Sequence, residues 1–269
     1  MTDLGEYTTL HVRFDSGVAY ATIDHPPINL LDAQLVADLA MFAERVAQDD
    51  DTHVMVVDSA DPDFFVAHAD INMILQLSGD EDAVAHALDG FHTFVDRFRT
   101  MPKVTIACIE GRARGGGSEL ALAFDMRFGT LGRTLLSQPE VAVGIIPGGG
   151  GTQRLARLVG RGRALEIVLG AQDLTADVAE RYGYINRAFP EGEMRPFVDA
   201  LAHRIASFPR GAVRLAKEAV SLNDGALREQ LRGEAQLFAR SYLMPDARAR
   251  MQAFMAAGGQ TRAVELTGF

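Results

Sequence analysis

The chain has 269 residues, of which 48% are hydrophobic and 23% charged, with 26 Gly and 10 Pro. That length is ample for a buried core, and the composition excludes collagen-like, disordered and coiled-coil classes. A formal net charge of −10 and a pI near 5.2 exclude a broad nucleic-acid or anionic-membrane surface, so an anionic ligand must find a confined pocket.

Residues 1–6 are acidic, with neither an apolar signal core nor an Arg-rich transit character, so a soluble, cytoplasmic protein is expected. Leu10, Val12 and Phe14 alternate with polar residues, and Asp15-Ser16-Gly17 turns the chain into 18–23, which predicts a hairpin. After Pro26-Pro27, Asp32 caps a helix whose Leu35, Leu39, Phe42 and Val46 keep helical spacing. Asp49-Asp50-Asp51 lacks EF-hand spacing and reads as a solvated connector into a buried strand at 54–57. Residues 80–99 predict a helix with Ala83, Ala87, Phe91, Phe94 and Phe98 on one side, packed in the core.

A second short buried strand spans 104–109 and contains Cys108, the chain's one cysteine. A single cysteine excludes an intramolecular disulfide framework and any Cys-rich zinc or iron–sulfur site, and its apolar neighbours make it a small core residue. Residues 118–124 predict a helix after a glycine run, and 126–130 another strand. From about Gly151 the pattern is helical, through 155–159, 164–169, 176–182, 198–205, 212–222, 227–243 and 247–255. The fold class is α/β with a ββα rhythm followed by a helical appendage, and a soft boundary near Pro190 or Pro196 divides 1–195 from 196–269. No apolar run is long enough to span a membrane.

The P-loop, Gly-x-Gly-x-x-Gly, Gly-x-Ser-x-Gly and His-Glu-x-x-His patterns are all missing, and the seven histidines have no paired ligand spacing, so no metal is expected. What remains is a pair of glycine-rich segments, each accompanied by a glutamate. Gly115-Gly116-Gly117-Ser118-Glu119 precedes an apolar helix, where glycines let a reactive oxygen approach backbone N–H groups. Gln138-Pro139-Glu140 is followed by a run from Gly144 to Gln153 that holds Gly148-Gly149-Gly150-Gly151. Two carboxyls across an oxyanion site suit general acid and general base chemistry, although by spacing alone a glycine run also reads as a loop and Glu119 as a dipole-complementing residue.

These segments, with Pro27-Ile28-Asn29-Leu30-Leu31, Phe65-Val66-Ala67-His68-Ala69-Asp70-Ile71, Pro102-Lys103-Val104 and a further match at 175–187, resemble the enoyl-CoA hydratase/isomerase family, the crotonase fold, in order from residue 7 to about 220. The resemblance implies a crotonase-like ββα spiral core (1–195) carrying a coenzyme A thioester site, and a helical region (196–269) that assembles homotrimers, often paired into homohexamers. It implies an acyl-CoA substrate in fatty acid metabolism, coenzyme A entering as part of the substrate, with no tightly bound cofactor, no nucleic acid and no membrane partner. The family's two oxyanion N–H donors map onto Ala69 and Gly116, and the hydratase's two glutamates onto Glu119 and Glu140. Substrate contacts are expected around Ala67, His68, Asp70, Ile71, Arg114 and Gly117.

The activity so implied is that of a lyase, hydration of a 2-enoyl-CoA, with enoyl-CoA isomerase or another crotonase-fold reaction on the same anion as the alternative and a non-catalytic scaffold as the reading from another class. The roles of the two glutamates stay open at this level. Two departures stand out. His68 occupies a place where the family commonly has glycine, which adds strain if the backbone needs φ > 0 and otherwise gives a partly exposed histidine in a tolerant turn. Arg112 and Arg114 replace aromatic or apolar residues, and Arg114 either meets a carboxylate or phosphate of the substrate or pairs with a neighbouring carboxylate.

Overall fold

Alternation at Leu10, Val12 and Phe14 builds β1 (Leu10–Asp15), which pairs antiparallel with β2 (Val18–Ile23) from Leu10 opposite Ile23 to Asp15 opposite Val18. The structure, a computed structural model, describes residues 7–222 and 225–267. The acidic residues 1–6 that carried the localisation reading lie outside the described residues. After the hairpin, the Asp32 carboxylate accepts from the Leu35 N–H at 3.0 Å and starts α1 (Ala33–Gln48), as its spacing predicts.

The chain then lays down β3 (Val54–Ser59), β4 (Phe64–Val66), α2 (Ile71–Leu75), α3 (Glu81–Thr100), β5 (Val104–Ile109), β6 (Arg112–Arg114), α4 (Gly116–Leu122), β7 (Met126–Thr130) and β8 (Leu135–Ser137). It continues through α5 (Gly151–Val159), α6 (Arg161–Gly170), β9 (Leu174–Thr175), α7 (Ala176–Tyr182) and β10 (Arg187–Phe189). Helices α8 (Met194–Ala206), α9 (Arg210–Ser221), α10 (Leu227–Tyr242), α11 (Ala247–Ala256) and α12 (Arg262–Thr267) follow.

Among the described residues the strands form a six-stranded sheet in the order β1-β2-β3-β5-β7-β10 and a four-stranded one in the order β4-β6-β8-β9. Neighbours from β2 to β10 in the first sheet are parallel, and so are β4, β6 and β8 in the second. Both faces of the large sheet are covered at its centre, which is why β3 and β5 read as largely apolar, buried runs, while the edge strand β1 alternates. Ala19, Ala21, Met55, Val57, Ala107 and Ile109 point into the main core, while Val18, Tyr20, Val54, Val56, Ile106 and Cys108 meet Met194, Val198 and Ala202 of α8. Burial pushes the Cys108 thiol far up, as suits a core residue.

The second sheet escapes the sequence reading, because strands of two or three residues have no period to detect. In the helical tail Leu227, Leu231 and Phe238 are buried inside this chain, and Leu237 is exposed. Phe238, with Ala235, Ala239 and Tyr242, packs on Ile71, Val84 and Ile145, so α10 walls the region in front of the second sheet. No helix among the described residues is long and apolar enough to cross a membrane.

Candidate active site

Two glycine turns face one cavity. Gly115, at φ +47°, bends the chain from β6 into α4 and brings Gly116 against Ala69. A Cβ on Gly116 would stand 2.8 Å from the Ala69 Cβ and 3.1 Å from its nitrogen, so the approach requires glycine. Ala69 is held in turn by an isolated bridge to Leu31, with the Leu31 N–H donating to the His68 carbonyl at 2.9 Å and the Asp70 N–H to the Leu31 carbonyl at 3.1 Å. Among the described residues, neither the Ala69 nor the Gly116 N–H donates to a protein acceptor.

In the 148–151 turn the N–H groups of Gly149, Gly150 and Gly151 are taken. Those of Gly149 and Gly151 donate to Glu119 Oε1 at 2.7 and 2.9 Å. Those of Gly150, Thr152 and Gln153 donate to Glu234 at 2.7, 2.9 and 3.2 Å. One loop therefore grips a carboxylate from α4 on one side and a carboxylate from α10 on the other.

Glu140 opens the 3₁₀ turn Glu140–Val143, and its buried Oε2 has no hydrogen-bond partner among the described residues. Burial pushes both active-site carboxyls above their ordinary value of 4.5. For Glu119, repulsion from Glu234 adds to burial and the Gly151 and Gly149 N–H groups oppose it, leaving it at about 8. Glu140 is raised by burial and then by Glu119, and apart from its own backbone N–H no donor opposes the rise.

A cavity of about 180 Å³ opens between these groups, with Ala69, Gly116, Glu119, Glu140 and Gly149 on one side and Val36, Met73, Leu88, Phe91 and Phe238 as apolar walls. A smaller pocket of about 40 Å³ shares Ala69, Gly116, Glu140 and Ile145 with it and adds His68, Ile71 and Gly115. Asp70 lines the larger cavity, but its carboxylate caps α2 by accepting from the Asn72 N–H at 2.9 Å and also accepts from Gln260 Nε2 at 3.1 Å.

Ala67, Gly117 and Arg114 line neither pocket. Ala67 is packed with Ile28 and Phe64, and Gly117 sits where a Cβ would fall 2.2 Å from the Val66 carbonyl oxygen. Arg114 is only 1% exposed; its guanidinium donates to Asp173 at 2.8 Å and to the Glu265 carbonyl at 2.8 Å. His68 is also buried rather than partly exposed, and its φ is not positive, so no strain attaches to it. Glu234 went unnoticed in the sequence. Its signal is a carboxylate on the apolar stripe of α10, three residues after Leu231 and four before Phe238, all three buried.

Among the described residues, no group of three or more His, Cys, Asp and Glu is placed to hold a metal ion. The family model "Enoyl-CoA hydratase/isomerase" matches residues 13–259. The chain is 32% identical to the short-chain-enoyl-CoA hydratase of Clostridium acetobutylicum over 252 residues, 93% of this chain and 95% of that one. A solved structure from Streptomyces avermitilis superposes with a TM-score of 0.88 at 38% identity, covering 97% of this chain and 95% of the other. DspI of Pseudomonas aeruginosa superposes with a TM-score of 0.75 at 32% identity, covering 95% and 97%.

Proposed function

The chain belongs to the enoyl-CoA hydratase/isomerase family, and on that premise we propose that it adds water across the 2,3 double bond of an enoyl-CoA thioester. The observation that carries this reading is two buried carboxyls in one apolar cavity beside two backbone N–H groups that have no protein acceptor. The thioester oxygen accepts from the Ala69 and Gly116 N–H groups, which stabilise the enolate-like anion formed as water attacks the β-carbon. Glu119, whose charged form is favoured by two N–H donors, takes the proton from that water. Glu140, with no such donors on its buried oxygen, remains the acid and delivers a proton to the α-carbon. The two protons balance, and the pair is reset when Glu140 regains the proton that Glu119 has taken.

Met73, Leu88, Phe91 and Phe238 face the acyl chain, and no cation is among the described residues that line the cavity, which favours a hydrocarbon chain over a carboxylated one. An isomerase on the same anion needs one carboxyl to move a proton from one carbon to another, whereas the two carboxyls here favour addition of water. The exposed Leu215, Val220 and Leu222, the first two on a helix that buries no residue in this chain, support a homotrimer or homohexamer, which light scattering tests against a monomer. The activity is tested by incubating the protein with 2-enoyl- and 3-enoyl-CoA thioesters and weighing the products. A gain of one water on the 2-enoyl substrate is expected; conversion of the 3-enoyl substrate without change of mass overturns the hydratase reading.

A further inference from the structure

His68 and Arg114, the two departures from the family pattern, meet at one residue of the C-terminal helix. The buried Glu265 of α12 accepts from His68 Nε2 at 3.0 Å and from the Gln260 N–H at 3.0 Å through Oε1. Its Oε2 lies 3.7 Å from Arg114, which also donates to the Glu265 backbone carbonyl. On the opposite edge of the imidazole, Nδ1 lies 2.8 Å from the carbonyl of Ala69, close enough to donate to it.

Ala69 is therefore held on both sides. The peptide that carries its N–H is fixed by Leu31 at the His68 carbonyl, and the peptide that follows is fixed by Leu31 at the Asp70 N–H and by the His68 ring at the Ala69 carbonyl. The far edge of the ring is anchored by Glu265, with the Phe254 ring edge-on at 6.2 Å. A buried carboxylate is stable only with its partners in place, and His68, Gln260 and Arg114 outweigh burial and hold Glu265 below its ordinary value. Helix α12 is pinned at its start by Arg262, which donates to Asp61, Asp63 and the Pro27 carbonyl.

We propose that His68 is a positioning residue, clamped between the Ala69 carbonyl and the Glu265 carboxylate, and that a competent anion-binding pair at Ala69 and Gly116 requires α12 to be seated. The inference rests on the proposed thioester reaction and deepens it, because it makes the C-terminal helix part of the machinery that holds the transition state. A donor aimed at developing charge acts on turnover more than on substrate binding, so a loosened Ala69 has a distinct kinetic signature.

The test compares wild type with Glu265→Gln, His68→Ala, the double variant and Arg262→Ala, using the full chain and the 2-enoyl-CoA that it hydrates. The two single variants at the clamp are expected to lose about tenfold or more in kcat, with KM within about twofold. The double variant is expected to lose no more than the worse single one, because both remove one clamp. Arg262→Ala, at a partly exposed position, is expected to show a smaller loss of the same kind. Unchanged kcat, a loss confined to KM, or losses that multiply in the double variant overturn the proposal. If His68→Ala does not fold, Glu265→Gln and Arg262→Ala decide by the same kcat criterion. A wild-type chain that converts no enoyl-CoA removes the functional reading and this inference with it.

Discussion

At Gly116 and Gly117 the absent side chains let the chain close on the Ala69 and Val66 backbone, whereas at Gly149 and Gly151 they let the Glu119 carboxylate reach backbone N–H groups. The first turn leaves the Ala69 and Gly116 donors free of protein acceptors, ready for charge that appears only during a reaction. The second commits its donors to the carboxyls of Glu119 and Glu234. Runs of glycine that look alike in sequence thus do opposite work, and the nearest carboxylate decides which. Glu119 reaches from the α4 that the first turn opens to the loop of the second, and so joins the two.

The comparison breaks most visibly at the carboxyls. Glu119→Gln and Glu140→Gln each keep the shape of the site and remove a proton-transfer group, so turnover is expected to fall by about 10²–10⁴, with thermal unfolding close to wild type. A variant that hydrates substrate at the wild-type rate removes that residue from the chemistry.

At the first turn, Gly116→Ala pushes a methyl group to within 2.8 Å of Ala69 and parts the two donors. A kcat loss on the order of 10²–10³ is expected, and steady-state kinetics showing wild-type kcat would mean that the two backbones need not touch.

Arg114 sharpens the boundary of the site. Arg114→Leu takes the guanidinium from the Asp173 carboxylate and from the buried Glu265, which keeps His68, so a loss of about 3–5 kcal/mol in denaturant unfolding is expected. The preference between straight-chain and carboxylated enoyl-CoA is expected to stay the same, since the guanidinium faces away from the cavity.

The smallest effect concerns pH at the second turn. Glu119 must be ionised to take a proton from water, so kcat/KM rises with pH through its ionisation at about 8. Glu234 contributes like-charge repulsion that raises Glu119, and Glu234→Gln removes it. The rising limb of the pH profile is therefore expected to move to lower pH, and an unmoved limb would show that burial alone sets the value.

Much of this was legible in the residues. The hairpin, the capped first helix and the buried strands followed from period and turn chemistry, because each is long enough to display its repeat. The short strands of the second sheet were not legible, since three residues such as those of β4 and β6 carry no repeat. Glu119, Glu140, Ala69 and Gly116 were found by resemblance, and the structure brings them to one cavity. The choice between the two readings of Arg114 was not legible because its partner carboxylates, Asp173 and Glu265, are distant in sequence. Glu234 was hidden for the same reason, being on α10 while its donors are Gly150, Thr152 and Gln153 at the start of α5.

The most direct test of the division of labour between the two turns is the carbonyl stretch of a bound, unreactive saturated acyl-CoA, isolated by isotope-edited infrared spectroscopy with a 13C-labelled thioester. The account predicts a lowered frequency on the wild-type protein, since two N–H groups polarise the carbonyl, and a frequency close to that in water for Gly116→Ala. An unshifted band on the wild type, or the same shift in both proteins, would contradict the assignment of Ala69 and Gly116 as the donors.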